Sequence, residues 1–410
     1  MNPTDTPHSA APAGLKDRVS GFFGDRIQIN SVLIVACFAA VLLLESQSAA
    51  SYPTYFLAIS MLVASRQWND VFQRRMVWLI IALLGYLSLS SLWSDPFEWR
   101  STVSVFSRAL LVFFFVVAVA ECQLRGQLKR WLARTMAVVG MVAVVAAMAV
   151  HFNDPPDHGR LNGLGQLDTQ VIAALVYGVC LVFVLDILVT DRSLAWKLLA
   201  AVSGLIIAYA VYLSDSRNAW VSVVIGAGTF LLAHRVQTRQ SFVVAVLAFV
   251  VVLGTLITSL ILNEQTQEIM LPRGDSFRPD IWTAIWERIS ANGFWFGLGI
   301  NTPDNVFAAN REFLHPHNMY LSVMYQGGIV GLVLFLGILV AGLRAVLDNY
   351  HHHDAKLVIG ILAIALPAYL LDGHELIDKV GTTWFLLWFP VAVGLGLLWS
   401  KPQGDLAEHG

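Results

Sequence analysis

Apolar runs of about 17 to 25 residues recur along nearly the whole chain, the length a helix needs to cross a hydrocarbon core at ~1.5 Å rise per residue. They fall at 29–45, 52–65, 76–93, 102–121, 132–151, 167–187, 195–213, 219–234, 241–262, 318–346, 356–371 and 381–399. These runs predict an all-α polytopic membrane protein with about twelve transmembrane helices. Composition agrees: the 410 residues are 57% hydrophobic and only 13% charged, too apolar for a soluble domain. The run after His317 is long enough for an interfacial helix before its true span, with a break at Gly327-Gly328.

Lys and Arg fall asymmetrically between alternate connectors, and cationic connectors stay on the cytoplasmic side. One set holds Arg66, Arg74 and Arg75, then Arg125, Lys129, Arg130 and Arg134, then Arg192 and Lys197, then Arg235 and Arg239, and last Arg344 and Lys356. The other set therefore faces out: 94–100, 151–166, 214–218, 263–316 and 372–379. Both termini lie in the cytoplasm on this count. The expected divisions are a cytoplasmic segment 1–28, helices one to nine within 29–262, a large external loop 263–316, helices ten to twelve within 317–399, and a cytoplasmic tail 400–410.

Residues 1–28 contain no apolar core of a cleavable signal. Leu15, Val19, Phe22 and Phe23 can line one face of a short helix on the membrane surface beside Lys16, Arg18 and Arg26, an anchoring role with membrane lipids. Cys37, Cys122 and Cys180 fall in spans or at a cytoplasmic edge and supply neither a disulfide framework nor a CxxC metal site. A net charge of -2 offers no field for nucleic acid.

The long external loop carries the chemistry. Ile281, Ile285 and Ile289 have helical spacing, Trp282 and Trp286 sit one turn apart, and Pro279 suits a helix start, so a surface helix is expected to run to about Asn292-Gly293. Gly297-Leu298-Gly299 then makes a side-chain-poor turn whose amides can approach an anion. The loop closes on His315-Pro316-His317-Asn318-Met319-Tyr320. A histidine there either caps a helix or accepts a proton from a hydroxyl nucleophile near neutral pH.

External arginines favour the second role. Arg160 follows His158-Gly159, Arg217 lies in Ser214-Asp215-Ser216-Arg217-Asn218, Arg278 opens the loop helix with Arg273 nearby, and Arg288 lies further along. Guanidinium forks hold phosphate oxygens in two-pronged fashion and keep their charge in a partly dry site. Each one alone could instead pair locally, Arg217 with Asp215 or Arg278 with Asp280. Arg108 inside a span reads as structural, and His351-His352-His353 as a solvated cytoplasmic loop. Asp154 and Asp157 lack a complete set of metal ligands.

As an ordered set, Arg278…Trp282, Gly297-Leu298-Gly299, His317-Asn318-Met319-Tyr320-Leu321 and Gly327-Gly328-Ile329-Val330-Gly331 resemble the O-antigen ligase and O-antigen polymerase superfamily over essentially the whole chain. Arg160-Leu161-Asn162-Gly163 and Ser216-Arg217 resemble its two earlier external arginine motifs. The end of the first departs from the family's usual Pro-Asn, reading Gly165-Gln166-Leu167-Asp168.

The spelling His-Pro-His-Asn and the compact length are closer to the ligase branch. That resemblance implies a GT-C-like glycosyltransferase of a Gram-negative inner membrane. It would move a glycan from undecaprenyl pyrophosphate to the lipid A-core at the periplasmic face, in lipopolysaccharide biosynthesis, by inverting transfer without metal or other cofactor. His317 would act as base and Arg217 and Arg278 would neutralise the pyrophosphate. Arg160, Arg288, His315, Asn318, Tyr320, Gly297 and Gly299 would contact substrate. Polymerisation and protein glycosylation remain alternatives within the superfamily. A lipid-linked sugar transporter is the rival class, against which stand the lack of inverted-repeat symmetry and the gathering of polar residues at one face.

Overall fold

A computed structural model describes residues 26–63, 68–126, 128–262, 277–308, 311–373 and 375–399. The surface helix expected from Leu15 to Phe23, together with Arg66, Arg273 and the tail 400–410, lies outside the described residues.

Each of the twelve apolar runs coincides with a helix. They are α1 (Arg26–Leu43), α2 (Gln47–Val63), the short α3 (Trp68–Phe72), α4 (Arg75–Ser90), α5 (Trp99–Leu124), α6 (Lys129–Asn153), α7 (Gln170–Thr190), α8 (Leu194–Leu213), α9 (Arg217–Arg235), α10 (Arg239–Leu262), α11 (Arg278–Arg288), α12 (Met319–Asp348), α13 (His353–Leu371) and α14 (Phe389–Trp399), the last entered through a π-helical turn at Trp384–Trp388. Of these, α3 and α11 match no apolar run. Eight helices are long and apolar enough to cross a membrane by length and composition, and shorter apolar helices accompany them. The chain is a polytopic membrane protein. Its strands among the described residues are β1 (Val306–Ala308) and β2 (Arg311–Phe313), an antiparallel hairpin pairing Val306 with Phe313 inside the long connector.

The bundle's interior is filled by α5, α7, α13 and α14, whose Phe115, Phe183, Trp384, Trp388 and Phe389 are fully buried. Charged groups inside it are paired, as a low-dielectric interior demands. Arg26 reaches Glu121 at 3.0 Å, and Gln123 donates to Asp354. In the His351-His352-His353 tract the first two residues are exposed in the connector, as expected of a solvated loop, and the third is not. His353 opens α13 and is held between Asp186 at 2.7 Å and Asp354 at 3.0 Å, because the tract's third residue is the first to face the bundle. Arg108, inside α5, meets Asp378 at 3.5 Å.

Chain alternation sends the Arg26–Glu121, Gln123–Asp354 and His353–Asp186 pairs and the cationic connectors to one end of the bundle, whereas Arg108–Asp378 lies toward the other. The connectors after α1, α4, α6, α8, α10 and α13 go to the other. Those at the second end bond to one another: Leu161 N–H donates to Leu213 O, and Asp95 N–H to Thr302 Oγ1.

The break at Gly327-Gly328 is present, with Gly328 at φ 61° and ψ −160° inside α12. Two loop amides and two helix amides bridge loop and helix at this break. Leu298 and Gly299 donate to the carbonyls of Tyr325 and Gln326, while Ile329 and Val330 donate to Phe294 and Trp295. A Cβ on Gly297 would collide with the Gln326 carbonyl, and one on Gly328 with the Trp295 carbonyl. Both glycines also hold positive φ. The Gly-Leu-Gly turn is thus a docking joint between loop and broken helix. Its amides are spent on Gly293, Tyr325 and Gln326, which rules out the anion-cradling role expected for Gly297 and Gly299.

Candidate active site

Three helices begin at the connector-rich end within reach of the C-terminal end of α13. Asn218, second residue of α9, donates through Nδ2 to Ala368 O at 3.3 Å. Arg278, first residue of α11, donates through Nε to Leu371 O at 3.1 Å. His317, two residues before α12, puts Nδ1 3.3 Å from Asp372 Oδ1. Residues distant in the chain are gathered by the last turn of α13 and the Asp372 that follows it, where helix carbonyls lack their full complement of donors. Three helix N-termini, with their partial positive charge, converge there with the arginines.

Each key residue is set by local backbone. Ser216 caps α9 by accepting from Ala219 N, and Asn318 caps α12 by accepting from Leu321 N at 3.0 Å. The described non-glycine residues with positive φ are Asp215, Phe277 and His317. One lies two positions before Arg217, one lies directly before Arg278, and the third is the histidine itself. Such backbone costs of order 1–3 kcal/mol per residue and persists where surroundings enforce it. For His317 the enforcement is visible: its N–H donates to His315 Nδ1 at 3.2 Å, and the two rings lie 3.9 Å apart.

Electrostatics tie the group together. Burial lowers the pKa of the Arg278 guanidinium; Asp372 opposes that and the like charge of Arg217 adds to it. Burial would raise the Asp372 carboxyl, but the hydrogen bond and charge of His317, the Gly373 amide and His315 together hold it below the usual carboxylate range. Asp372 is therefore an anion that orients His317 through Nδ1, leaving Nε2 as the acceptor. His315, His317 and Asp372 also offer ligand atoms within 4.8 Å of one another, a spacing a cation can share. The Nδ1 atoms of both rings are already engaged, that of His315 by the His317 amide and that of His317 by the carboxylate.

The remaining expected site residues separate into two groups. Arg160 stays with the cluster as a support: Nε and Nη2 donate to the carbonyls of Ser214 and Asp215, both at 2.9 Å, bracing the turn that delivers Arg217. Tyr320 donates to Leu366 O and lines an apolar groove of about 570 Å³ with Trp282, Trp286 and Met324, beside Asn318. Arg288 goes elsewhere. It lies ten residues along α11 from Arg278, roughly 15 Å of helix rise. Its fork holds the carbonyls of Asn305 and Pro303 and its plane lies over Tyr325, so it fastens the hairpin region instead of joining the cluster. Asp372 was not among the residues expected. Its neighbours carry no motif, and only its place at the end of a span facing the same side as His317 hinted at it.

A family model described as O-antigen ligase matches residues 202–336, a stretch containing Arg217, Arg278 and His317. Over 339 residues the chain is 30% identical to an O-antigen ligase of Pseudomonas aeruginosa, covering 80% of this chain and 79% of that protein. The chain belongs to the O-antigen ligase family. This O-antigen ligase family member is accordingly a multi-pass membrane enzyme of a glycan-transferring family, and Arg160 and Asp372 lie outside the stretch matched by the family model.

Proposed function

We propose that this protein transfers O-antigen from undecaprenyl pyrophosphate to the lipid A-core at the periplasmic face of the inner membrane, with the connector 263–316 on that side. The observation that carries the reading is the meeting of a carboxylate-oriented histidine with Arg278 and Arg217 at the end of α13. The charge asymmetry of the connectors supports the sidedness.

His317 Nε2 takes the proton of the acceptor hydroxyl as that oxygen bonds to the anomeric carbon. The bond from that carbon to the pyrophosphate oxygen breaks, and its electron pair leaves with the pyrophosphate. Arg217 and Arg278 neutralise the charge that grows there, stabilising the transition state more than the bound donor. Attack from the face opposite the leaving group inverts the anomeric centre. The Trp282–Trp286 groove, largely apolar and open beside Asn318, suits the donor's isoprenoid end. Every proton and electron in this scheme is accounted for by side chains and substrates, so neither cofactor nor metal is required.

The test is transfer in detergent from a defined undecaprenyl pyrophosphate glycan to a lipid A-core acceptor, with products sized on a gel. One added band without any membrane gradient supports ligation, undiminished by a chelator. A growing ladder indicates a polymerase, and no covalent product indicates the transporter class.

A further inference from the structure

A second cavity, of about 420 Å³, has His315 and Asp372 in its wall. It is polar. Glu45, Gln166, Asp168, Glu375 and Asp378 line it, with Tyr369 at its floor, and no lysine or arginine is among its lining residues. Its charged lining is acidic, which disfavours a pyrophosphate, and the guanidinium groups that suit a pyrophosphate do not line it.

Two lining groups point to a ligand independently of the acids. Tyr369 is only 4% exposed, and its hydroxyl has no hydrogen-bond partner among the described residues. The amide of Gln166 is likewise buried at both its nitrogen and its oxygen, with neither bonded. Buried polar atoms in native proteins are nearly always satisfied, so three unspent ones on a single cavity mark a place for a hydroxyl-rich molecule. The carboxyl of Glu375 is pushed up to about 8, by burial first and then by the neighbouring Asp378. Near neutral pH it stays protonated and shares a hydrogen bond with Asp378, and a carboxylic acid that both donates and accepts suits sugar hydroxyls.

The turn that delivers Gln166 is built for this position. Gly165 holds φ +53°, and a Cβ there would strike the backbone of Leu44 and Glu45. The turn therefore packs flush on the α1–α2 connector, bringing Glu45, Gln166 and Asp168 to one wall. This is also the stretch where the chain departs from the family's usual spelling.

Resting on the assignment of His317 as base, we infer that this cavity is the acceptor subsite: Gln166, Tyr369 and Glu375 bind hydroxyls of a neutral or amino-bearing sugar and present one of them to His317. The Gly165–Asp168 turn then sets which acceptor is used.

The test uses the full-length protein in lipid nanodiscs, with acceptor and donor titrated separately. Tyr369→Phe and Gln166→Leu should each raise the acceptor KM about fivefold or more, the loss of one to two neutral hydrogen bonds, with the donor KM moved less than about twofold. Gln166→Glu, which keeps an acceptor atom, should fall between. A neutral methyl glycoside of the acceptor's terminal sugar should compete with the acceptor, and the phosphorylated form of the same sugar should compete at least about tenfold less well.

An unchanged acceptor KM in both variants, a rise in the donor KM instead, or equal competition by the phosphorylated sugar would overturn the subsite. If one variant fails to insert, the other and the competition assay still decide. Retention of full transfer by His317→Ala would instead bring down the underlying site assignment, whatever the KM values show.

Discussion

Replacing Asp372 with asparagine preserves the shape of the side chain and removes the charge that holds His317. Unit charges at the observed 3.3 Å separation attract by ~5 kcal/mol at an effective dielectric of about 20. The His317 side chain is 34% exposed, so solvent screening leaves roughly half of that. About 2.5 kcal/mol corresponds to a factor of roughly 70 in rate. The amide brings a second penalty. If its NH₂ turns toward Nδ1, it donates, so the imidazole proton moves to Nε2 and the base is lost in that tautomer. The expected result is a fall in kcat of about 10²-fold or more, with KM for donor and acceptor changed little, because Asp372 acts on the proton transfer. The assay is initial-rate transfer by purified protein, with thermal stability measured alongside to exclude a folding defect. A well-folded Asp372→Asn protein whose kcat lies within about threefold of wild type would refute the orienting role.

Arg160→Ala should lower kcat about 10-fold or more while leaving the protein inserted, because two carbonyls of the turn before Arg217 lose their donor; Arg160→Lys, able to satisfy only part of that fork, should recover part of the loss, as initial rates would reveal. Gly297→Ala forces a Cβ against the Gln326 carbonyl at a positive-φ position, so detergent-extracted protein should lose several degrees of Tm or fail to accumulate. Glu375 has a folded-state pKa raised to about 8, so folding holds its proton while the unfolded chain releases it near 4.5. Its contribution to stability is then greatest below the unfolded value and declines as pH rises toward about 8. Glu375→Gln should flatten that decline in a series of melting curves from acid to alkaline pH; an unaltered slope would count against it.

The twelve runs were legible because spanning a bilayer imposes length and apolarity that few other structures share, and the helices fall where those runs fall. Arg217, Arg278 and His317 could be picked out by type and sidedness. What the residues could not convey is direction. Arg288 and Arg278 look alike on an external helix, yet one holds carbonyls of Pro303 and Asn305 and the other turns toward Asp372. Gly297-Leu298-Gly299 has the small-residue signature of close backbone approach, and the approach is to the broken helix instead of an anion. Asp372 lies 55 residues from its histidine partner, a separation that only the antiparallel run of α12 and α13 closes. His353 was misjudged for the same reason: its acids, Asp186 and Asp354, come from a distant helix and from the adjacent position.

The central claim is that His317, and not its close neighbour His315, removes the acceptor proton. Single-turnover transfer by His317→Ala and His315→Ala, each with donor and acceptor saturating, compares them directly. The account predicts a loss of about 10³-fold or more for His317→Ala, and for His315→Ala a smaller loss that reflects only the misplaced His317 backbone. Wild-type rates from His317→Ala, or the larger loss from His315→Ala, would contradict it.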